Sequence, residues 1–237
     1  MNLILFELGE FDKLLPLNDP RVIHILEVLR RKPGQDFDAG VIDGPQGKAH
    51  YREKTGAGLV LVFDPVSPTP DPEPITLLIG HPRPQTARRI LREASAIGVG
   101  TIHFHLTSRG DPGYARSTLW SSGEYRRHLI AGTEQAFSTR LPGISHGRTL
   151  NEVLTGLGDL PTRLALDNYE AEARLVDAPL AGIPAALAVG SERGWTGSER
   201  DVLRQAGFRL VDLGSRVLRA ETAMVAGLAI LRARFGL

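Results

Sequence analysis

The chain has 237 residues, of which 42% are hydrophobic and 23% are charged, and its formal net charge at pH 7 is +1. This length and composition predict a folded globular protein with one large or two modest domains and argue against a disordered chain. The absence of cysteine excludes disulfides, thiolate metal sites and a cysteine nucleophile. The sequence opens with no secretory signal and has no apolar run of about 18 residues or more, so we expect a cytoplasmic protein that does not enter the membrane.

The first third of the chain predicts a small β-structure followed by a proline-rich linker. Short apolar segments are separated by turn-like sequences, and one helical run extends from about Pro20 to Arg31. Five prolines between Asp64 and Pro74 remove backbone donors and forbid a helix. We therefore predict a β-barrel over residues 1–66 and a linker over residues 67–74. The apolar segments are Leu3–Glu7, Asp36–Ile42 and Leu59–Phe63.

Beyond the linker, apolar runs that predict strands alternate with runs that predict helices. Such alternation implies an α/β domain over residues 75–237, with a parallel sheet covered on both faces. Periodicity alone does not distinguish a simple Rossmann fold from a knotted one. The predicted strands are Ile75–Gly80, Gly100–Leu106, Arg163–Asp167, Ala185–Val189 and Arg209–Leu213. The predicted helices are Thr86–Ile97, Ser122–Phe137, Ser198–Ala206 and Thr222–Phe235.

Local signals bound the helix at Ser198–Ala206. Thr196 and Ser198 place hydroxyls before it, where they can accept from the exposed amides of the first turn. Gly207 follows it and favours a left-handed stop.

Positive charge concentrates in the middle of the chain. Residues 83–148 contain ten basic side chains, all arginine, against four acidic ones. The planar guanidinium fork suits phosphate, so this segment favours contact with nucleic acid. An arginine-rich solvated surface is the alternative reading of the same pattern.

Two glycine-containing loops near the end of the chain predict a common ligand. The first, residues 190–194, follows the buried-strand pattern Ala185–Val189. The second, residues 213–221, leads through Arg216 and Arg219 into an apolar helix that we expect to be buried. Charges at the entrance of a buried helix need a partner or a functional role.

These loops resemble the C-terminal signature of the SPOUT methyltransferases. They are most similar to the bacterial ribosomal RNA small subunit methyltransferase E family, which methylates N3 of a uridine. The family pattern Leu-Gly-x-Arg-Ile-Leu-Arg-x-Glu-Thr-Ala matches residues 213–223, with Val217 in place of isoleucine. The family pattern Gly-Pro-Glu-Gly-Gly matches residues 190–194 at three positions, while Ser191 and Arg193 replace the proline and one glycine.

The resemblance extends over almost the whole chain. Residues 24–30 and 33–36 are similar to a His-x-x-x-Val-Leu-Arg segment and a Gly-Asp turn in the family's N-terminal PUA-like RNA-binding barrel. Ser108-Arg109 and residues 133–135 match further steps in the middle region. The residues to which the resemblance gives RNA contact are His24, Arg30, Arg109, Glu134 and Gln135.

The resemblance implies a trefoil-knotted α/β domain that binds S-adenosylmethionine in the knot loops, and a homodimer. It also implies a substrate, either small-subunit ribosomal RNA or the assembled small ribosomal subunit. Glycine backbone and the main chain of apolar residues are expected to hold the cofactor. The residues so assigned are Leu166, Val189, Gly190, Ser191, Glu192, Gly194, Leu213, Gly214, Leu218, Arg219, Thr222 and Ala223.

Methylation of uridine N3 requires removal of a proton or stabilisation of the anionic base. By analogy, Arg219 stabilises the developing negative charge, and Glu221 or Glu192 accepts or relays the proton. For both glutamates a structural role is the alternative, because carboxylates at a helix start or a glycine turn often bind backbone amides.

Other chemistries lack their usual residues. His103 and His105 alternate on a predicted strand, but the spacing supplies no further ligands, so no metal is predicted. The sequence has no phosphate-binding Gly-x-x-x-x-Gly-Lys-Ser/Thr element and no Gly-x-Ser-x-Gly elbow. Departures from the family in the middle region, at Ala96, Phe137 and Ser138, and in the glycine loop, at Ser191 and Arg193, leave two alternatives open. These are a knotted RNA methyltransferase with another target, and a noncatalytic RNA-binding or ribosome-assembly protein.

Overall fold

The computed structural model describes residues 3–237 and contains two compact units. The first unit comprises the chain up to Asp71 together with Ile130–Leu141, and the second comprises Pro72–Leu129 and Pro142–Leu237. Within the described residues, no helix is long and apolar enough to cross a lipid bilayer.

The first unit is built on a five-stranded mixed sheet with strand order β1-β3-β4-β5-β2. Strand β1 runs parallel to β3, and the other pairings are antiparallel. Its strands are β1 (Ile4–Phe6), β2 (Leu14–Pro16), β3 (Asp36–Val41), β4 (Gln46–Lys54) and β5 (Gly58–Ser67), and its helix α1 (Pro20–Ile23) continues as a π-helical turn over His24–Val28.

The core of this unit follows from the alternation of its strands. In β4 every second residue from Gly47 to Tyr51 is buried, as expected for a strand with one face toward the core. Phe6, Ile25 and Leu61 are fully buried in the same cluster. Helix α1 begins where the carboxylate of Asp19 accepts the amide of Arg21 at 2.8 Å.

The second unit is built on a seven-stranded sheet in which every pairing is parallel, with strand order β10-β12-β9-β11-β6-β7-β8. Its strands are β6 (Glu73–Gly80), β7 (Val99–Leu106), β8 (Gly143–Thr149), β9 (Thr162–Leu166), β10 (Ala173–Arg174), β11 (Ala185–Val189) and β12 (Arg209–Asp212). The helices are α2 (Pro84–Ile97), α3 (Thr118–Ser121), α4 (Glu124–Gln135, which from Ile130 belongs to the first unit), α5 (Leu150–Gly156), α6 (Gly197–Gln205) and α7 (Ala220–Phe235).

The alternation of strands and helices predicted the α/β class and the parallel sheet correctly. Helix α6 begins at the predicted Thr196 cap and is followed by Gly207, whose φ is 78°. The sequence missed β8, because Gly143–Thr149 is a largely exposed edge strand with no apolar run. It also missed helix α5 directly after that strand.

The segment Ile130–Leu141 differs from the sequence expectation, which placed it with the α/β domain. It belongs to the first unit because its polar groups bond there. Glu134 accepts the amide of Leu5 at 2.9 Å, and Thr139 donates its hydroxyl to the carbonyl of Gly44 at 2.6 Å. Strand pairing also extends into the proline-rich segment, since β5 continues to Ser67 and β6 begins at Glu73.

The register of three neighbouring strands determines where loops can meet. Leu166 at the end of β9 is paired with Val189 at the end of β11 and with Val211 near the end of β12. All five residues of β11 are buried, so this strand forms the centre of the sheet. The loops that leave these strands therefore start at one edge, where open parallel sheets bind their ligands.

Helix α7 was expected to be buried, and the structure buries only one face of it. Met224, Leu228 and Leu231 are fully buried, whereas Ala229 is exposed and Ile230 is half-buried. The apolar side chains outside this buried face remain partly accessible.

Candidate functional site

One large pocket lies at the carboxyl edge of the parallel sheet in the second unit. Its volume is about 1090 Å³, and it is formed by the loops that follow β6, β7, β9, β11 and β12 together with the start of α7. This volume suits a nucleotide-sized ligand, since pockets for such molecules occupy several hundred cubic ångströms or more.

The loop after β11 forms a tight turn in the pocket wall. The amide of Gly194 donates to the carbonyl of Ser191 at 2.9 Å. A Cβ atom at Gly190 would lie 3.2 Å from the backbone of Gly194, which is closer than ordinary van der Waals contact, so glycine favours the tight turn at that position. The hydroxyl of Ser191 is buried and has no hydrogen-bond partner within residues 3–237. A buried hydroxyl in a pocket wall without a partner is available to a polar group of a ligand.

Trp195 follows this turn directly and is buried. Its ring is 1% exposed, and its indole nitrogen donates to the carbonyl oxygen of Leu166 at 2.9 Å. The ring stacks on His105, with centroids 5.5 Å apart. The indole thus connects the end of β9 to the loop after β11.

Burial lowers the pKa values of the histidines next to this site. The pKa of His105 is about 4 because its ring is buried, which outweighs a hydrogen bond to the carbonyl of Leu106. The pKa of His81 is also about 4, chiefly because of burial and secondarily because of the nearby His146 and His105. Both rings are therefore neutral near pH 7.

The two glutamates proposed for proton transfer each contact an arginine of the pocket region. Glu192 accepts the backbone amide of Arg83 at 3.2 Å and lies 3.8 Å from its guanidinium. Glu221 lies 3.3 Å from the guanidinium of Arg89 on α2, and its side chain is 14% exposed. These contacts connect the pocket wall to helix α2 and to Arg83, the residue that precedes it.

The loop after β12 brings Arg219 to the pocket. Gly214 has a φ of 108°, which favours glycine, and its amide donates to the carboxylate of Asp212 at 2.7 Å. Arg219 is the residue that precedes helix α7, is exposed and lines the pocket. Among residues 3–237, no carboxylate forms an ion pair with its guanidinium, which leaves this cation available to a ligand.

A buried ion pair fixes the loop after β9. Asp167 accepts the guanidinium of Arg200 at 2.8 Å, with side-chain exposures of 2% and 9%. The same carboxylate accepts the amides of Tyr169 and Glu170 at 2.7 and 2.6 Å. Tyr169 lines the pocket and is 80% exposed. The guanidinium of Arg200 lies over its ring.

Most of the residues assigned to the cofactor by the sequence lie together in this pocket. Gly214 and Thr222 are the two that do not line it. Arg109 and the three proposed catalytic residues also line it, whereas His24, Arg30, Glu134 and Gln135 belong to the first unit. The assigned cofactor residues that line the pocket are Leu166, Val189, Gly190, Ser191, Glu192, Gly194, Leu213, Leu218, Arg219 and Ala223.

The sequence reasoning missed several residues of the pocket wall. Arg83 and Asp111 follow predicted strands, so the rule that ligands bind beyond the carboxyl ends of parallel strands could have found them. Trp195 and Tyr169 follow the predicted strands Ala185–Val189 and Arg163–Asp167, so the same rule also points to them, but only the contacts with Leu166 and Arg200 place their rings.

Comparison with known proteins places the sequence and fold of this chain in a class. Residues 69–232 match the family model of the RNA methyltransferase domain. Two curated relatives are ribosomal RNA small subunit methyltransferase E from Treponema pallidum (strain Nichols) and ribosomal RNA small subunit methyltransferase E 1 from Borreliella burgdorferi (strain B31). The first is 38% identical over 98% of this chain and 91% of the relative, and the second is 30% identical over 95% of each.

A solved structure shares the fold. Ribosomal RNA small subunit methyltransferase E from Neisseria gonorrhoeae, crystallised with S-adenosyl methionine, superposes with a TM-score of 0.77. It is 22% identical, over 99% of this chain and 98% of that one. The chain therefore belongs to the ribosomal RNA small subunit methyltransferase E family.

Proposed function

We propose that this protein uses S-adenosylmethionine to methylate N3 of a specific uridine in small-subunit ribosomal RNA. The observation that carries the proposal is the pocket at the carboxyl edge of the sheet. There, the glycine turn with the Ser191 hydroxyl and the Arg219 side chain line one space, and neither group has a partner among the residues that the structure describes. Family membership supplies the reaction class, and the uridine N3 atom is the finer part of the proposal.

The pocket wall fits the proposed cofactor. The turn at Gly190 lets backbone approach the ligand closely, and the hydroxyl of Ser191 offers a donor and an acceptor for its polar groups. Leu166, Val189 and Leu218 offer apolar surface and main-chain groups for a flat ring. When bound, S-adenosylmethionine supplies an activated methyl group, so the protein must orient the acceptor and adjust its charge.

Arg219 provides the charge adjustment. Loss of the N3 proton leaves negative charge on the uridine base, and a guanidinium held at the pocket stabilises that anion. Arg219 suits this role because it precedes a helix and forms no ion pair with any acidic residue among those the structure describes.

The contacts of the two glutamates favour a positioning role. Glu192 and Glu221 each neutralise an arginine on or before α2, and so hold the loops on either side of the pocket. In this proposal the two glutamates hold Arg219 in position. The N3 proton passes to solvent or to one of these glutamates.

The finer architecture is part of the same proposal. The first unit would act as a PUA-like barrel that contacts RNA through His24, Arg30 and Gln135. Glu134 is better explained by its bond to the Leu5 amide than by RNA contact. The second unit would carry the trefoil knot, and the partly exposed apolar face of α7 would pair with a second copy in a homodimer.

The proposal is tested by transfer of label. Purified protein is incubated with labelled S-adenosylmethionine and small ribosomal subunits from cells that lack its gene, and modified nucleotides are mapped by mass spectrometry. Label at N3 of one uridine supports the proposal. Label at another atom would mean that the protein methylates a different target. Absence of both label and cofactor binding would favour the noncatalytic RNA-binding alternative.

Substitution of Arg219 tests its role in the reaction. Arg219→Ala is expected to lower kcat by about 100- to 1000-fold, the cost typical of removing one group that stabilises a developing anion. Circular dichroism should be unchanged, since the side chain is exposed. The control is Arg209→Ala at the opposite end of β12, which should keep kcat. Near-normal kcat in Arg219→Ala would remove this residue from the mechanism.

A further inference from the structure

At the pocket rim, each of two arginines contacts the loop that carries the other. Arg109, in the loop after β7, donates to the carbonyl oxygen of Arg193 at 3.2 Å. Arg193, in the loop after β11, donates to the carbonyl oxygen of Arg109 at 3.4 Å. Both residues are exposed and both line the pocket. The reciprocal bonds hold two positive side chains beside each other on loops that are 84 positions apart.

No acidic side chain neutralises this pair within residues 3–237. The carboxylates adjacent in sequence bind elsewhere: Glu192 contacts Arg83, and Asp111 accepts the amide of Gly113 at 2.7 Å. Two like charges fixed close together repel each other, and an anion bound between them removes that repulsion. The arrangement is therefore organised in advance for an anionic ligand.

We propose that Arg109 and Arg193 form a clamp for a phosphodiester group of the RNA substrate beside the nucleotide that enters the pocket. Each guanidinium carries five N–H donors and uses one of them in the crossed contact, so several remain for phosphate oxygens. The planar fork matches phosphate in a bidentate manner. The inference rests on the proposed function and adds the substrate contact that this pocket uses.

The position of the clamp gives it a consequence for catalysis. Arg193 lies two residues from Ser191, whose hydroxyl is in the pocket wall, and the clamp joins this turn to the loop after β7. A phosphate held here fixes the RNA backbone relative to the pocket. Phosphate contacts orient a nucleic acid without reading its sequence, so the clamp should act on RNA affinity more than on target choice.

The test compares Arg193→Gln and Arg109→Gln with the wild-type protein. Affinity for small-subunit ribosomal RNA is measured between about 50 and 200 mM salt, and S-adenosylmethionine affinity is measured by calorimetry. Each variant should raise the RNA Kd and KM about 5- to 10-fold and reduce the slope of log affinity against log salt by about 0.7 to 0.9. The S-adenosylmethionine Kd should stay within about twofold, because the clamp lies at the rim.

Two further variants separate the clamp from general loss of charge or structure. Arg209→Gln removes an exposed arginine at the amino end of β12, away from the pocket, and should leave the RNA Kd unchanged. Arg193→Lys keeps the charge without the fork, so it should preserve most of the salt slope while weakening RNA binding.

Several outcomes would overturn the clamp. One is an RNA Kd in Arg193→Gln equal to that of Arg209→Gln, and another is an unchanged salt slope. An equal loss of S-adenosylmethionine affinity would show that the pair holds the cofactor or the loop instead. Failure of the proposed function is distinguishable, because the wild-type protein would then transfer no label, whereas failure of the clamp alone leaves wild-type methylation intact.

Discussion

At the scale of single residues, the glutamates of this chain show how contacts decide the role of an acidic side chain. Glu192 and Glu221 line the pocket, yet each binds an arginine. Glu134 matches a family step expected to contact RNA, yet its carboxylate accepts the amide of Leu5 on edge strand β1. Burial raises the pKa of Glu134, and the bond from Leu5 offsets part of that rise. Glu134 therefore supplies the hydrogen-bond acceptor for an amide of edge strand β1.

Glu134→Ala should destabilise the first unit. The substitution leaves the amide of Leu5, whose residue is 2% exposed, without an acceptor, which costs about 1 to 3 kcal/mol in the free energy of unfolding. Hydrogen exchange at the Leu5 amide should accelerate correspondingly. Gln135→Ala, at the exposed neighbouring position, is the control and should change stability by no more than about 0.5 kcal/mol. If Glu134→Ala lost RNA affinity while hydrogen exchange at the Leu5 amide stayed unchanged, the result would support an RNA contact for Glu134 in place of the structural role.

At the scale of elements, two helices of the second unit begin with the same motif in different surroundings. Thr149 and Glu152 form a capping box at α5, and Thr196 and Glu199 form one at α6. Glu199 is 6% exposed and also accepts the amide of Ser108 at 2.8 Å. The cap of α6 thus holds the loop after β7, whereas the cap of α5 serves its own helix.

The two caps should differ in their effect on stability. Glu152→Ala removes an exposed reciprocal bond and should lower the midpoint of urea unfolding only slightly. Glu199→Ala leaves two amides without their acceptor, those of Thr196 and Ser108, and should cost about 2 to 3 kcal/mol. Urea unfolding of both variants gives the comparison. Equal costs would mean that the bond to Ser108 contributes nothing to the fold.

The pKa of Glu199 gives the same cap a pH dependence. Burial raises this pKa, but the hydrogen bonds from Thr196 and Ser108 outweigh burial and hold it below the ordinary value. A carboxyl with a lowered pKa in the folded state stabilises the protein above its unfolded pKa, and that stability is lost as pH falls through the folded value.

At the scale of the whole molecule, buried histidines make the second unit sensitive to acid. His81 and His105 have folded pKa values of about 4, well below the ordinary value of 6.5. Between these values the unfolded chain binds protons that the folded chain does not. The free energy of unfolding should therefore fall as pH decreases from about 6.5 toward 4, by up to about 3 kcal/mol per histidine.

Fluorescence can measure this loss in the second unit alone. The chain contains two tryptophans, Trp120 and Trp195, and both belong to that unit. Urea unfolding followed by their emission should show the fall in stability, and a double variant with His81→Phe and His105→Phe should show a flatter pH profile. An identical profile in the double variant would mean that other groups cause the acid sensitivity.

Strands, helices and loops with local signals can be predicted from the amino-acid sequence alone. The apolar run at Ala185–Val189 specified a buried strand, Thr196 and Gly207 bounded helix α6, and the glycine loops marked the pocket. These features depend on periodicity and turn chemistry within a few residues, so they can be read without knowledge of the rest of the chain.

Side chains that are far apart in the sequence acquire their partners through the packing of the folded chain. The bond of Glu134 to Leu5 spans 129 positions, and the crossed contact of Arg109 with Arg193 spans 84. No local pattern encodes such pairs, because each depends on how strands register and which loops leave the same sheet edge. The sequence therefore identified the pocket, while packing determined which of its charged residues are engaged and which remain available to a ligand.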